Sequence, residues 1–343
     1  MTLLILAALL LVLLSSSQAV SYAYAASSDV DDNLAVARLT SRDDVARWHV
    51  VVTWSRGKQA TAGYEEKDKT RDEHGQAPAR DISFVNGFPE EEFNVTLYAK
   101  GVKCSELPDK MRKVACVELP NYSGREAHTI LHHLAEYHRL QHEHDTRKGA
   151  GAGGDGKKDW LPLPTATIFL QDDSHLFTSP GNTKESVAGS IVQAMRENLP
   201  KQPGARLNNC FCQLARETFF AGYQYKAPMR FLAKRVLDIE LPEDDGKLMW
   251  TNGAEFAIDA VGIRNVSVRA MKRLMPYLTS DAEDHSANGM PKNLTPAMQK
   301  VCDTQGICIS PLRYAHCMER MWHTFLRLPR CGYLKGHGTE SCN

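Results

Sequence analysis

The chain has 343 residues, and its 41 lysines and arginines balance 41 aspartates and glutamates. Without a net charge it has no overall field to attract nucleic acid or an anionic membrane, so any site for a charged ligand must be a local cluster. Its length permits one large or two small domains, and its apolar and charged fractions are ordinary for a globular protein.

The N-terminus has the pattern of a targeting segment. An unbroken apolar run extends from Leu3 to Leu14, and small residues suited to signal cleavage follow, ending at Ala23-Tyr24-Ala25. The run is shorter than the ~20 residues that span a bilayer, so it predicts a signal peptide over 1–25 and a secreted or ER/Golgi-luminal protein. Because no lysine or arginine precedes the run, an uncleaved signal anchor in a membrane is the alternative.

Cysteines and sequons agree with a secretory route. The chain has nine cysteines, several in close pairs. The pairs predicted to form disulfides across short loops are Cys104–Cys116, Cys302–Cys308 and Cys331–Cys342. Metal binding by Cys210 and Cys212 is the rival interpretation, but a second pair at zinc spacing is missing. The sequons that predict N-glycosylation are those of Asn94, Asn121, Asn265 and Asn293.

Strand-like and helical patterns alternate along the rest of the chain. The predicted strands are 48–54, 93–99, 114–119, 165–170 and 255–258, and the predicted helices are 126–144, 184–198, 267–278 and 311–328. The strand at 165–170 is apolar throughout and is expected at the sheet centre. This alternation predicts an α/β fold, with a mixed, mainly parallel sheet flanked by helices in a single domain over 48–330.

Three segments are predicted to lie outside this framework. Residues 55–92 are polar and predict a surface insertion, and 331–343 form a C-terminal tail. The segment 147–159 contains a literal G-x-G-x-x-G match, Gly149 to Gly154. A dinucleotide loop must follow a strand and open a helix, whereas this run follows a helix and opens none, so it predicts a flexible linker.

A polar segment follows the predicted central strand. Gln171, Asp172, Asp173 and His175 stand where a parallel strand delivers side chains to a ligand crevice. Carboxylates and imidazole suit Mn²⁺ or Mg²⁺ holding a diphosphate, so Asp172, Asp173 and His175 are the predicted metal ligands. Asp173 and His175 are also predicted to be catalytic, and Gln171 to bind substrate. The alternative is that Asp172 and Ser174 only turn the loop.

A second polar segment, Gly124-Arg125-Glu126-Ala127-His128, opens the long predicted helix. A helix N-terminus attracts anions, and Arg125 would add a bidentate fork for phosphate. Arg125, His128 and Lys100 are therefore predicted to bind substrate, and Glu126 to be catalytic. The alternative is a structural Arg125–Glu126 ion pair. Glu319–Arg320, inside the predicted C-terminal helix, is interpreted as a buried pair that supports the sheet.

Five short motifs follow one another along the chain, each occurring once. They are Leu97-Tyr98-Ala99-Lys100-Gly101, Gly124-Arg125-Glu126-Ala127-His128, Thr167-Ile168-Phe169-Leu170-Gln171, Ala254-Glu255-Phe256-Ala257-Ile258 and Glu319-Arg320-Met321-Trp322-His323. In this order, over 48–328, the chain resembles the family catalogued as domain of unknown function 3431. It departs from that family in two places. In the family the first strand tends to end in an acidic turn, whereas here it ends in Thr53-Trp54-Ser55-Arg56. This chain also carries one extra residue in the segment from Asn121 to Gly124.

The family's layout is similar to GT-A-type glycosyltransferases, which is an analogy of fold. The resemblance therefore implies a GT-A/Rossmann-like domain and a secretory-pathway glycosyltransferase-like protein. Such a protein would bind a nucleotide sugar and a glycan acceptor, with Mn²⁺ or Mg²⁺ to neutralise the leaving diphosphate. The altered end of the first strand favours the alternative, a non-catalytic secreted protein of the same fold that binds a glycan or a partner protein.

Overall fold

The computed structural model describes residues 48–56, 79–108, 111, 114–120, 124–149, 161–172, 184–198, 211–213, 218–219, 226–241, 249–250, 254–279, 294–309, 311–326 and 330–333. The predicted signal peptide over 1–25, the linker beyond Gly149 and the tail beyond Tyr333 lie outside these ranges. So do the predicted site residues Asp173 and His175 and the sequon residues Asn121 and Asn293.

Strands of one mixed sheet form the centre of the described chain. They are β1 (Trp48–Ser55), β2 (Phe93–Lys100), β3 (Ala115–Leu119), β4 (Ala166–Gln171), β5 (Phe211–Gln213), β8 (Phe256–Asp259) and β9 (Arg330–Tyr333). Their order is β3-β2-β1-β4-β8-β5-β9, and β6 (Thr218–Phe219) pairs separately with β7 (Met249–Trp250). Within the seven-stranded sheet only β8 runs against its neighbours, β4 and β5, and the other pairings of that sheet are parallel, whereas β6 and β7 pair antiparallel. The predicted mixed, mainly parallel α/β sheet is therefore confirmed.

Helices cover both faces of the sheet. They are α1 (Arg125–Gly149), α2 (Lys184–Asn198), α3 (Lys226–Phe231), α4 (Ala260–Arg264), α5 (Val268–Leu274), α6 (Pro296–Gln305), α7 (Pro311–Glu319) and α8 (Trp322–Phe325). Helix α3 continues as a π-helix over Leu232–Leu237. None of the helices in the described ranges has the length and hydropathy that a membrane crossing requires.

Alternating side chains of β1 divide the interior into two cores. Val51 packs in the core that holds α1, α3, α5 and α7, whereas Val50 and Val52 pack in the core on the opposite face. This follows from the two-residue period of a strand, because successive side chains point to opposite faces. Every residue of β4 is buried, which agrees with its predicted central position.

Part of the predicted surface insertion is packed inside the molecule. A 3-10 turn over Ser83–Gly87 follows Ile82, and Ile82, Phe84, Val85 and Phe88 are buried in the core beneath α2. The prediction of a surface segment over 55–92 was therefore wrong for this part. The segment as a whole is polar, so its composition gave more weight to a surface position than the few apolar residues near its end gave to burial.

The C-terminal helix predicted over 311–328 is interrupted. It ends at Glu319, and α8 begins at Trp322. Between them the amides of Arg320 and Met321 donate to the carbonyls of Cys317 and Met318, the i to i+3 pattern that tightens and ends a helix. Glu319 and Arg320 lie 3.8 Å apart, Oε2 to Nη1, so the predicted pair forms at this turn.

Two of the predicted disulfides are present. Cys104 and Cys116 are bonded, with Cα atoms 5.8 Å apart, and Cys302 and Cys308 are bonded at 4.4 Å. The pair Cys331–Cys342 stays a prediction, because Cys342 lies outside the described residues. Of the sequon residues, Asn94 is half-buried within β2, and Asn265 is exposed at the C-terminal end of α4.

Candidate functional site

The carboxyl ends of three adjacent strands form a polar edge. We call the ends of β1, β2 and β4, at Ser55, Lys100 and Asp172, the carboxyl edge. Ser55 pairs in register with Lys100, and the Asp172 amide donates to the Thr53 carbonyl at 3.1 Å. Gln171, in register with Thr53, is buried beside them. In open α/β sheets this is the side on which ligands bind.

Asp172 is buried and fully engaged at this edge. Its Oδ2 accepts from the Ser55 amide at 2.5 Å and from Ser55 Oγ at 2.9 Å, and its Oδ1 lies 3.0 Å from Arg80 Nη1. The Arg80 amide also donates to the Ser55 carbonyl at 3.0 Å. Because a guanidinium already neutralises this carboxylate, the arrangement fits a structural role better than the predicted role as a metal ligand.

Lys100 occupies the next position along the edge. It is 2% exposed, and its Nζ donates to the Arg125 carbonyl at 2.8 Å. The Lys100 pKa is lowered to about 7, chiefly by burial; the Glu126 carboxylate opposes this effect, and the Arg125 charge adds to it. A lysine whose pKa is lowered to near 7 by burial and by specific neighbouring charges is characteristic of functional sites.

The backbone at the start of α1 is held tightly. Arg125 has φ of 45°, in the left-handed region that a residue with a Cβ seldom adopts. Gly124, just before it, is buried against Leu278, so that a Cβ at Gly124 would lie 2.3 Å from the Leu278 carbonyl oxygen. This close approach fixes the backbone just before α1, and with it the direction in which the Arg125 and Glu126 side chains project.

We expect Gly124→Ala to destabilise the protein by about 1–3 kcal/mol, because the new methyl group must displace the Leu278 backbone. Gly189→Ala is the matched control, since no atom lies within 4 Å of its added Cβ in α2. That control should raise stability by ~0.5–1 kcal/mol through helix propensity. Urea denaturation of both variants checks this, and an equal change in the two would contradict the packing argument.

A group of buried histidines lies within the otherwise apolar interior beneath α1. The His133 and His49 rings are 5.1 Å apart, and Tyr98 Oη lies 2.9 Å from His133 Nδ1. His128 and His132 continue this group toward the carboxyl edge, with ring centroids 6.3 Å apart. Burial is the first cause of the lowered pKa of each of these four histidines. They are therefore neutral in the folded protein at physiological pH.

The structure brings together some of the predicted site residues and separates others. Lys100, Arg125, Glu126 and His128 form one cluster. Asp172 belongs to a second cluster, because β1 and β2 lie between β3 and β4. At ~4.8 Å per strand, the ends of β3 and β4 are about 14 Å apart. These two strands are therefore not neighbours, but the clusters meet where Ser55 pairs with Lys100.

Sequence reasoning missed the partners that complete this edge. Ser55 and Arg80 were assigned no role, and neither were His49, His132 and His133. For the histidines a signal was present, because His132 and His133 lie on α1 among the buried residues Leu131 and Leu134. Arg80 gave no local signal, since its contact with Asp172 spans 92 residues of chain.

The described residues hold no group of three or more His, Cys, Asp or Glu side chains that could hold a metal ion. The predicted ligands Asp173 and His175 fall outside this description. Two cavities are lined by described residues, one of about 430 Å³ at Cys104, Leu107 and Cys116 and one of about 410 Å³ at Arg230 and Ile307. Neither borders the carboxyl edge.

Comparison with family models, with curated proteins and with solved structures finds no match to this chain. The resemblance to the domain of unknown function 3431 family therefore stays a prediction from the motifs.

Proposed function

We propose that this protein binds a nucleotide sugar at the carboxyl edge and acts as a glycosyltransferase-like protein of the secretory pathway. The observation that carries the proposal is the buried amine of Lys100 beside Arg125 and Glu126 at the first turn of α1. A helix start with cationic side chains, at the carboxyl end of parallel strands, is suited to a diphosphate.

The sheet supports the same proposal. It is a mixed, mainly parallel sheet, as the family resemblance implies for a GT-A/Rossmann-like domain. A shared architecture does not establish a reaction, so the residues at the edge carry the argument. The disulfides Cys104–Cys116 and Cys302–Cys308 favour an oxidising compartment, as in the secretory pathway.

Arg125, Lys100 and Glu126 each have a defined task in this proposal. Arg125 would hold the diphosphate through its guanidinium fork, and Lys100 would gain a proton as the anion approaches. In the transfer, the bond from the anomeric carbon to the diphosphate oxygen breaks, and the oxygen keeps the electron pair. The acceptor hydroxyl oxygen bonds to that carbon, and its proton passes to Glu126.

A divalent ion is a separate element of the proposal. Mn²⁺ or Mg²⁺ would supply a positive charge for the leaving diphosphate, with Asp173 and His175 as its proposed ligands. Asp172 does not fit that set, because Arg80 and Ser55 engage both of its oxygens. The steps above therefore depend on the cations Lys100 and Arg125 rather than on Asp172.

The test is thermal and chemical unfolding of the intact chain with a panel of nucleoside diphosphate sugars, each with and without Mn²⁺. A ligand at a concentration 100-fold above its Kd should add about 2.7 kcal/mol of stability. Arg125→Met should abolish the gain. Arg147→Met is the matched control, because Arg147 lies near the other end of α1 with its side chain 83% exposed. The proposal fails if no donor stabilises the wild type, or if both variants respond alike.

The second candidate function is a non-catalytic secreted protein that binds a glycan or a partner protein. The end of β1 favours this second function. The resembled family tends to carry an acidic turn there, whereas here Ser55 donates a hydrogen bond to Asp172 and Arg56 forms an ion pair with Glu106 at 2.9 Å. Incubation with a stabilising donor separates the two functions. Release of the nucleoside diphosphate supports the transferase. Binding of the donor without release of that product, in the presence of a panel of glycan acceptors, supports the binding protein.

A further inference from the structure

A basic cavity lies away from the carboxyl edge. It has a volume of about 410 Å³ and is formed between the π-helical segment after α3 and the residues that follow α6. Arg230, Lys234 and Arg235 line one side, and Phe231, Gln305 and Ile307 also border it. No carboxylate is among the described residues that line this space.

The local backbone explains why these cations share a face. Arg230 lies in the last turn of α3, and the π-helix Leu232–Leu237 follows α3 directly. Residues four or five apart lie over one another where the helix widens from α to π, so Lys234 and Arg235 fall beside Arg230. The other face, including Leu232 and Val236, is buried in the core. Such π-helical turns occur frequently at functional sites.

A disulfide-closed loop forms the opposite wall. Gln305 and Ile307 lie within the loop that Cys302 and Cys308 close, at a sequence separation of six. Gly306, with φ of 68°, turns the chain between them and donates its amide to the Cys302 carbonyl at 3.0 Å. The disulfide therefore holds the polar Gln305 and the apolar Ile307 beside the basic face.

The apolar part of the lining is supported from below. Phe231 is largely buried, and its ring meets that of Tyr277 edge-on with centroids 5.7 Å apart. Because the Phe231 ring is packed against Tyr277, the cavity has an apolar wall next to exposed cationic side chains. This combination selects a ligand with both an anionic group and an apolar or planar group.

We propose that this cavity binds a small molecule that carries a phosphate or sulfate ester on an apolar or aromatic group. Lys234 and Arg235 present two exposed positive charges to this space and so select an anion, and a guanidinium group matches tetrahedral oxyanions through paired hydrogen bonds. The volume lies within the range of small-ligand sites. Phe231 and Ile307 would contact the apolar group, and Gln305 would offer an amide to the ester oxygens.

The experiment is isothermal titration of the intact, oxidised chain with p-nitrophenyl phosphate and p-nitrophenyl sulfate. Inorganic phosphate and p-nitrophenol are titrated as the anionic and apolar halves alone. We expect one of the esters to bind at least about tenfold more tightly than either half. The doubly substituted Lys234→Gln/Arg235→Gln chain should lose about tenfold or more in affinity. Both residues are exposed, so this variant should fold normally.

The matched control is Lys272→Gln/Arg273→Gln, which removes the same charge from exposed positions on α5. It should bind the esters as the wild type does, and an equal loss in the control would overturn the proposal in favour of diffuse surface charge. Binding to phosphatidylserine vesicles without binding of either soluble ester would overturn it in favour of a lipid surface. Absence of ester binding would overturn it outright.

A further variant tests the wall and separates this proposal from the proposed function. Cys302→Ser/Cys308→Ser should weaken ester binding, because it releases the loop that carries Gln305 and Ile307. Arg125→Met, which belongs to the carboxyl edge, should leave ester binding unchanged. Unchanged affinity in the cysteine variant would contradict the assigned wall.

Discussion

Acidification below about pH 6.5 is expected to unfold this protein, because four histidines are buried in neutral form between α1 and the sheet. Burial lowers the pKa of His49 to about 3 and that of His128 to about 2. It also lowers the pKa of His133 well below the usual range and that of His132 to a lesser extent, opposed there by Glu136.

The direction of the effect follows from proton binding. In the unfolded chain these histidines have their ordinary pKa of 6.5 and take up protons below that pH, whereas the folded protein does not. Their contribution to stability is present above pH 6.5 and is lost as the pH falls toward the folded pKa. Each histidine that stays neutral costs about 1.4 kcal/mol per pH unit below 6.5, so His49 and His128 together cost about 3 kcal/mol per pH unit, and His132 and His133 add to this cost in the same direction. Total stability is typically ~5–15 kcal/mol, so a few units of acidification are sufficient.

Urea denaturation at about pH 7.5, 6.5 and 5.5 measures this slope, whose size gives the number of protons taken up on unfolding. His133→Phe should reduce the uptake by about one proton, although it also removes the contact with Tyr98 Oη. His142→Asn is the control, because His142 is exposed on the same helix and its loss should leave the slope unchanged. A stability that is flat across this range would contradict the buried-histidine interpretation.

Lys100→Met is expected to stabilise the protein at pH 7, although Lys100 is a proposed binding residue. Its pKa falls from 10.5 to about 7 on burial, and a difference of this size corresponds to about 5 kcal/mol against the folded state. Methionine fills a similar volume without a charge. The lost bond to the Arg125 carbonyl removes ~1 kcal/mol, and we expect a net gain of at least ~2 kcal/mol.

The pH dependence identifies the cause of this gain. The penalty from Lys100 is complete below about pH 7 and decreases as the pH rises toward 10.5, where the unfolded lysine also loses its proton. The difference between Lys100→Met and the wild type should therefore shrink between about pH 7 and pH 10. Lys103→Met, at an exposed position, should change stability by less than ~0.5 kcal/mol.

A less stable Lys100→Met variant at pH 7 would show that the amine contributes to folding and would contradict this account. If the variant is more stable and no longer binds nucleotide sugars, Lys100 is a functional residue retained at a cost in stability. A gain in stability with unchanged ligand binding would instead remove Lys100 from the proposed site.

The sequence alone determined the elements with a strong local period. The helix over 184–198 was predicted with the bounds of α2, and the strand at 165–170 was predicted as central because it is apolar throughout. The disulfides Cys104–Cys116 and Cys302–Cys308 also followed from spacing, since a short loop brings two cysteines within bonding distance. In each case the information lies within a few residues of chain.

Contacts between distant segments were decided only by the tertiary structure. Local periodicity identifies a strand but not its neighbours, and only the structure shows that β1 and β2 separate β3 from β4. The pairing of Asp172 with Arg80 depends on that strand order and on the course of a long connection. It changes the interpretation of Asp172 from a metal ligand toward a structural carboxylate.

The same distinction applies to the candidate site. From the sequence, the strand-to-helix junction indicated Arg125, Glu126 and His128, because helix starts after strands are recurrent binding positions. Only the packing of α1 on the sheet buries Lys100 and places His49 against His133, since β1, β2 and α1 contribute these side chains from separate parts of the chain. Burial depends on all the surrounding segments together, and it is burial that sets the pKa values on which the site and the acid sensitivity depend.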